Sequence, residues 1–288
     1  MNDFFAILTD YSFITVALGT VLLATATSMI GTVSVLTKQS LIGDTLGHAS
    51  YPGVIFAFMV FQSREPILLM LGAMVSGYIS YTLIYWLTKT GKHSLTNALA
   101  LVSSSFFGLG MVLKNFIQGH KAYSKAAQAG LQQYLFGQAA FIQIEDVLLI
   151  SVVSISCIVL FLLFYQSYKV YLFDESFAAI NGVQTKLLHH LTILMMIALI
   201  SVGLKVVGAI LMSSFLVAPA VCGLLAGRHY GQTLILATLN GVISAFLGAY
   251  ISSIFSGLST GPAIIIIMTI ITLATFTIKK LQLNKGGA

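Results

Sequence analysis

Residues 41–60, LIGDTLGHASYPGVIFAFMV, form an apolar run that carries one carboxylate and one imidazole. About 20 apolar residues in a helix suffice to cross the hydrocarbon layer of a bilayer, so this run predicts a membrane-spanning helix. Its two ionisable residues, Asp44 and His48, are spaced i and i+4 and would share one helix face. Ionisable side chains inside a membrane are costly and usually face a pathway or a partner.

The composition excludes a soluble domain. The chain has 288 residues, of which 58% are hydrophobic and 8% are charged, whereas soluble domains carry about 25% charged residues. Lipid offers no partners to backbone groups, and the alternation typical of a membrane barrel is missing, so the spans are predicted to be helices. Nine apolar segments are apparent, at approximately 12–36, 41–62, a third that follows Pro66 and runs to Leu87, 95–113, 145–165, 190–204, 206–226, 232–255 and 262–278.

The distribution of basic residues predicts the orientation of the chain. Lysines accumulate in cytoplasmic loops, so the basic stretch from Lys279 to Lys285 indicates a cytoplasmic C-terminus. Nine spans then place the N-terminus outside. A loop with three lysines would also lie outside, although lysines are expected in cytoplasmic loops. The prediction is therefore a bundle of eight or nine spans. The net charge of +6 lies mostly at segment ends, which favours membrane anchoring over nucleic-acid binding.

The Asp44–His48 pair allows two interpretations. In the first, the pair is structural, with the imidazole hydrogen-bonded to the carboxylate to neutralise both groups in the bundle. In the second, it binds a metal ion, because one carboxylate oxygen and one imidazole nitrogen suit Mn²⁺, Fe²⁺ or Zn²⁺. Two ligands are too few for tight binding, which suits an ion that must also leave. A symmetric dimer would bring four ligands to one axis.

Neighbouring residues predict an irregular helix at this pair. Gly43, Gly47 and Gly53, together with Pro52, would let the helix start or break inside the protein, as in the discontinuous helices of transporters. Elsewhere, close spacing of small residues predicts tight helix packing at Gly241, Ala245, Gly248 and Ala249.

The sequence carries no catalytic motif that would indicate an enzyme. The sequence has no Walker lysine motif, no HExxH and no GxSxG, so nothing in it indicates hydrolysis of ATP or peptides. An ion-coupled secondary transporter is the alternative function. That mechanism needs an intramembrane relay of carboxylates, and only Asp44 is placed well inside an apolar segment. His189 and His190 open a segment beside basic residues and are predicted to be interfacial.

Five stretches of the chain resemble the ABC-3 family, the membrane permeases of bacterial ABC importers for zinc, manganese and iron. They occur in the family's order and spacing: LIGDTLGHASYPGV (41–54), SSFFGLGMVL (104–113), AGLQQYLFGQAA (129–140), FDESFAAINGV (173–183) and VGAILMSSFLVAPAV (207–221). The resemblance covers nearly the whole chain. It implies an all-α polytopic transmembrane bundle of the type II ABC importer kind, with residues 1–288 as one permease domain.

The resemblance also implies roles for individual residues. Asp44 and His48 match the family's Asp-x-x-x-His and would coordinate or gate the metal in the translocation path. A loop at approximately 170–188 would dock onto the ATPase through Phe173, Asp174, Glu175, Phe177 and Gly182. Two departures stand out: Thr96-Asn97 replaces an acidic residue that the family often carries, and Gly47 replaces a small polar residue or alanine.

The implied partners and cargo follow from the same resemblance. The permease would work with a cytoplasmic ABC ATPase dimer, an extracytoplasmic metal-binding protein and a second permease copy, in a bacterial cytoplasmic membrane. It would hold no permanent cofactor and would carry Mn²⁺, Zn²⁺ or Fe²⁺. The ligand pair does not choose among these metals, because imidazole suits zinc and iron while mixed oxygen and nitrogen ligands also suit manganese.

Overall fold

The computed structural model describes residues 10–91, 93–120, 123, 130–137, 142–255 and 258–286. Within these ranges the chain is helical and contains no strand. The helices, in chain order, are α1 (Tyr11–Leu36), α2 (Ser40–Phe61), α3 (Pro66–Lys89), α4 (Leu95–Gly119), the short α5 (Gln133–Phe136), α6 (Ile144–Leu163), α7 (Tyr165–Phe173), α8 (Glu175–Ile180), α9 (Thr185–Gly203), α10 (Met212–Ala226), α11 (Tyr230–Ile254) and α12 (Thr260–Gly286).

The nine predicted apolar segments correspond to nine of these helices. Among the described residues, seven helices are long and apolar enough to cross a membrane: α1, α3, α4, α6, α9, α11 and α12. The apolar helix α10 is shorter. Helix α2 has 22 residues, which at about 1.5 Å per residue also reaches across a bilayer. The all-α polytopic bundle predicted from the sequence is confirmed, with α2 and α10 as the unusual members.

Helix α1 lies at the centre of the bundle and packs against α6, α9, α10 and α11. Helices α2, α3 and α4 form a group on one side, and α10, α11 and α12 form a second group. Glycines set the closest approaches: a Cβ on Gly53 would lie 2.1 Å from the Gly72 carbonyl oxygen, and one on Gly31 would lie 2.0 Å from the Leu216 carbonyl oxygen. These contacts bring α2 onto α3 and α1 onto α10.

The predicted small-residue contact on α11 is confirmed. Gly241, Ala245, Gly248 and Ala249 are all buried. Gly241 approaches α1 at Ser28 and Ala24, and Gly248 approaches α12 at Ile264. Close backbone approach lets membrane helices gain dispersion contacts without a hydrophobic driving force.

The expected break at Pro52 is wrong, because α2 runs through it from Ser40 to Phe61. Proline removes the hydrogen bond to the carbonyl four residues earlier, here that of His48, but it does not force the chain out of a helix when the surroundings are packed. Pro52 is buried and lies beside Gly110 of α4. The break occurs instead at residues 204–211, between α9 and α10, where the predicted segments 190–204 and 206–226 meet.

The two ends of the bundle are clearly different. At one end, a cavity of about 610 Å³ brings together the end of α1 at Leu36, Lys169 and Phe173 of α7, and Arg228 before α11. At the other end, a polar cavity of about 510 Å³ is lined by Arg64, Glu65, Gln143 and Lys205 among others. The end with Lys169 and Arg228 is the one that the basic residues predict to be cytoplasmic.

Candidate metal site

Asp44 and His48 lie one turn apart in the first half of α2, as the sequence predicts. Asp44 Oδ1 and His48 Nε2 are 3.8 Å apart, which is too long for a hydrogen bond. The Asp44 side chain is 44% exposed and that of His48 is 20% exposed. The imidazole is therefore half-buried beside a carboxylate that opens to the surface of the single chain.

The hydrogen bonding of His48 is incomplete within the described part of the chain. Its Nδ1 is buried and has no hydrogen-bond partner there. Its ring contacts the edge of Phe107 on α4, with ring centroids 5.2 Å apart. A saturated structural pair would be expected to use both ring nitrogens. Here Nε2, the nitrogen that faces Asp44, forms no hydrogen bond with the carboxylate, so Nε2 rather than the buried Nδ1 is the nitrogen that can serve as a ligand.

Asp44 lies in an open groove of about 350 Å³ between α2, α10 and α12. Four of the seven lining residues besides Asp44 carry hydroxyl groups; the full lining is Ser40, Leu41, Asp44, Ser213, Ser214, Val217, Ala218 and Thr269. The α10 and α12 hydroxyls could not be identified from the sequence. They come from segments more than 160 residues away, and only the packing of α10 beside α2 brings them to the carboxylate.

The described residues of one chain offer too few ligands to hold a transition metal by themselves. Among the described residues, no cluster of three or more His, Cys, Asp or Glu side chains could hold a metal ion. Zinc is generally four-coordinate in proteins, and manganese prefers still more oxygen ligands. Asp44 and His48 therefore supply only two of the ligands that such a site needs.

A second acid–base pair lies at the opposite end of the bundle and was missed from the sequence. Lys205 Nζ lies 2.5 Å from Asp146 Oδ2, and the Asp146 side chain is only 5% exposed. The same oxygen accepts a hydrogen bond from the Gln143 backbone N–H at 2.9 Å. The pair connects the start of α6 to the turn at 204–211, so its role is structural.

That turn also reaches the candidate site. The backbone N–H of Ala209 donates to the Tyr134 carbonyl at 3.0 Å. Tyr134 itself is buried, and this burial raises the pKa of its phenol. On the side of the turn that faces α2, a Cβ on Gly47 would lie 3.0 Å from the Ala209 carbonyl oxygen. The departure at Gly47 thus has a steric consequence, because the turn packs directly on α2 beside His48.

The residues predicted to contact an ATPase lie together at the end expected to be cytoplasmic. Phe173 is 88% exposed at the end of α7, and Phe177 is 54% exposed on α8. Asp174 Oδ1 accepts a hydrogen bond from the Phe177 N–H at 2.9 Å and so caps α8, with Glu175 in the first turn. Gly182 adopts a φ of +80° in the turn to α9, a conformation that favours glycine.

His189 is less exposed than the sequence analysis predicted. Its Nε2 lies 3.0 Å from the Tyr81 hydroxyl of α3, so it joins α9 to α3 within the bundle. His190 is closer to the prediction, since its Nδ1 lies 2.7 Å from the Lys186 carbonyl on its own helix. Neither residue lies in a cluster with acidic side chains that could hold a metal among the described residues.

Residues 10–279 match the family model described as the ABC 3 transport family. The chain belongs to this family. It is 34% identical over 279 residues to the zinc transport system membrane protein TroC of Treponema pallidum, covering 96% of this chain and 91% of that protein. It is 30% identical over 270 residues to the manganese transport system membrane protein MntC of Listeria monocytogenes, covering 93% and 91% of the two chains.

The fold also has a solved counterpart. A chain of PsaBC from Streptococcus pneumoniae in complex with Fab superposes with a TM-score of 0.83 at 21% identity, covering 96% of this chain and 95% of that one. The family predicted from the five motifs is confirmed, and the chain is a multi-pass protein of a bacterial membrane.

Proposed function

We propose that this chain is the permease subunit of an ATP-driven importer for a divalent transition metal, with Asp44 and His48 as the ligands along its path. The observation that carries the proposal is the half-site on α2, in which a carboxylate and an imidazole with an unpartnered nitrogen share one face of a membrane-spanning helix. A solely structural pair has little reason to remain open to the surface in a membrane.

The groove around Asp44 suits an ion that binds and then leaves. The carboxylate supplies charge, the imidazole supplies a nitrogen ligand, and the hydroxyls of Ser213 and Ser214 can replace water molecules lost from the ion. A second copy would complete the coordination, so we propose a homodimer with the path between its copies.

Energy for transport would come from a separate subunit. The exposed pair Phe173 and Phe177, on two short helices at the basic end of the bundle, fits an apolar groove on a cytoplasmic ATPase dimer. At the opposite end, the polar cavity near Arg64 and Glu65 would face an extracytoplasmic metal-binding protein. The cargo is Mn²⁺ or Zn²⁺, the metals of the two relatives described above, with Fe²⁺ as a third candidate.

The role of the pair is tested by uptake of radiolabelled Mn²⁺ and Zn²⁺ into cells that depend on this chain. The variants Asp44→Asn and His48→Gln keep the size of each side chain and should reduce uptake to background, while the chain still reaches the membrane. Asp10→Asn is the matched control, because Asp10 caps α1 and asparagine caps equally well. Normal uptake in both α2 variants would show that the site is wrongly assigned.

The proposed coupling surface is tested separately. Replacing Phe173 and Phe177 together by alanine should prevent co-purification of the chain with the ATPase. Leu163→Ala is the control, because Leu163 is also highly exposed near the same end but lies outside α7 and α8. If the double variant binds the ATPase as the parent does, the coupling surface lies elsewhere.

A further inference from the structure

The cavity of about 610 Å³ at the basic end of the bundle lies between α7 and the turn that joins α10 to α11. Two membrane-spanning helices have their ends there, since α1 ends at Leu36 and α11 begins at Tyr230, and both residues line the cavity. The ends of spanning helices lie near the boundary between hydrocarbon and headgroups. The cavity therefore lies at the membrane surface, and we refer to it as the interfacial cavity.

The interfacial cavity carries positive charge without a matching negative charge. Lys169, Arg228 and His229 line it, and no aspartate or glutamate of the described chain does. All three basic residues are exposed, and their side chains form no hydrogen bond or ion pair with another described residue. The nearest acidic residues along the chain, Asp174 and Glu175, belong to α8, where the Asp174 carboxylate caps the helix. The cavity is therefore suited to an anion.

The other walls of the interfacial cavity are mainly apolar. Leu224 of α10 precedes Arg228 by four residues, or about one helical turn, and so lies deeper in the membrane. Leu36 of α1 and Val170 of α7 also line this apolar part. A small soluble anion would leave these apolar walls in contact with water. A phospholipid instead places its phosphate at the basic residues while its acyl chains cover the apolar walls.

The turn between α10 and α11 holds its basic residues in a defined position. The Arg228 backbone N–H donates a hydrogen bond to Gln232 Oε1 at 3.1 Å. Gly227 packs closely on α11, because a Cβ there would collide with Thr233 Oγ1. A site that is formed before its ligand arrives loses less conformational freedom on binding.

We propose that the interfacial cavity binds an anionic phospholipid of the adjacent leaflet, with its phosphate between Lys169 and Arg228 and its acyl chains against Leu36 and Leu224. A basic pocket between membrane helices is suited to such headgroups, whereas a zwitterionic lipid offers no net charge to it. Phe173 and Phe177 also line the cavity, so the lipid lies beside the proposed coupling surface. The inference does not depend on the metal path.

The test measures lipid binding to the purified full chain in detergent by native mass spectrometry, while phosphatidylglycerol or phosphatidylcholine with the same acyl chains is added. The parent chain should bind phosphatidylglycerol at least about tenfold more tightly than phosphatidylcholine, and Lys169→Gln combined with Arg228→Gln should lose this preference. Lys279→Gln combined with Lys280→Gln is the matched control. It removes the same charge near the end of α12, and neither lysine lines the cavity.

A further variant tests the cavity itself and not its charge. Leu36→Trp fills the apolar part without changing any charge, so it should also weaken the binding of phosphatidylglycerol. The thermal unfolding midpoint of each variant is measured alongside, and the double glutamine variant carries the test if Leu36→Trp does not fold. Undiminished phosphatidylglycerol binding by a folded Leu36→Trp chain would contradict the placement of the acyl chains.

The remaining outcomes separate the lipid from other occupants. Equal phosphatidylglycerol binding by the parent and by Lys169→Gln with Arg228→Gln overturns the proposal, and so does an equal loss in the α12 control. Glycerol 3-phosphate carries the headgroup charge without acyl chains and should compete weakly; competition as strong as that of the lipid would assign the cavity to a soluble anion. If the double variant loses the ATPase but keeps phosphatidylglycerol, the cavity belongs to the ATPase surface and the proposal is wrong.

Discussion

Asp146 and Lys205 lie 2.5 Å apart at one end of the bundle, whereas Asp44 and His48 lie 3.8 Å apart within α2. The first pair is shielded, and its carboxylate oxygen also accepts a backbone hydrogen bond. The second is open to a groove and leaves a buried imidazole nitrogen without a partner in the described chain. Pairs whose polar atoms are all satisfied stabilise a fold, while pairs left incomplete are available to a ligand.

The largest effect is expected from breaking the shielded pair. Lys205→Met leaves the buried Asp146 carboxylate without its counter-charge, which should lower the free energy of unfolding by about 3–5 kcal/mol. The measurement is the thermal unfolding midpoint of the purified chain in detergent. Lys169→Met is the matched control, because Lys169 is exposed and forms no ion pair among the described residues. Equal unfolding midpoints for Lys205→Met and Lys169→Met would show that the ion pair between Asp146 and Lys205 does not stabilise the fold.

The turn that carries Lys205 should be the next most sensitive feature. Gly208 adopts a φ of +90°, and a Cβ there would lie 2.5 Å from the Gly137 nitrogen. Gly208→Ala should therefore destabilise the chain by about 2 kcal/mol or more, by the same thermal measurement. Gly182→Ala is the control, because Gly182 has a φ of +80° and open space around it. This variant introduces backbone strain without a steric clash. A smaller effect at Gly208 than at Gly182 would contradict the tight packing of the turn.

Replacing both members of the shielded pair should recover most of the stability. Asp146→Leu combined with Lys205→Met removes both charges and leaves apolar side chains, so the net loss should be about 1 kcal/mol. The remaining loss of stability corresponds to the hydrogen bond from the Gln143 backbone N–H to the Asp146 carboxylate at the start of α6. The double variant should also keep metal uptake, since neither residue lies at the candidate site; lost uptake with recovered stability would give this pair a role in transport.

The smallest effect on stability is expected at the open pair. Asp44→Asn should change the free energy of unfolding by less than about 0.5 kcal/mol, because the carboxylate is partly exposed and forms no hydrogen bond with His48. Unfolding and uptake are measured on the same variant, and uptake alone should fall. A destabilisation close to that of Lys205→Met would instead mark Asp44–His48 as a structural pair.

Much of the architecture could be predicted before any coordinates. Apolar segments inside a bilayer can only be helices, and the nine predicted apolar segments appear as nine helices, of which α10 is shorter than the spanning ones. The small-residue spacing on α11 likewise predicted a close helix contact, which the structure forms with α1 and α12. The prediction failed at Pro52, because whether a proline breaks a helix depends on what packs around it, here Gly110 and α3.

The sequence by itself determined the fold class and the placement of Asp44 and His48 on one helix face, because hydropathy and an i, i+4 spacing are local properties of the chain. Tertiary structure alone decided which distant groups meet: Lys205 with Asp146 across 59 positions, the α10 hydroxyls with Asp44, and α4 with His48. Such meetings depend on how helices pack side by side, and the pattern within one helix carries no information about its neighbours.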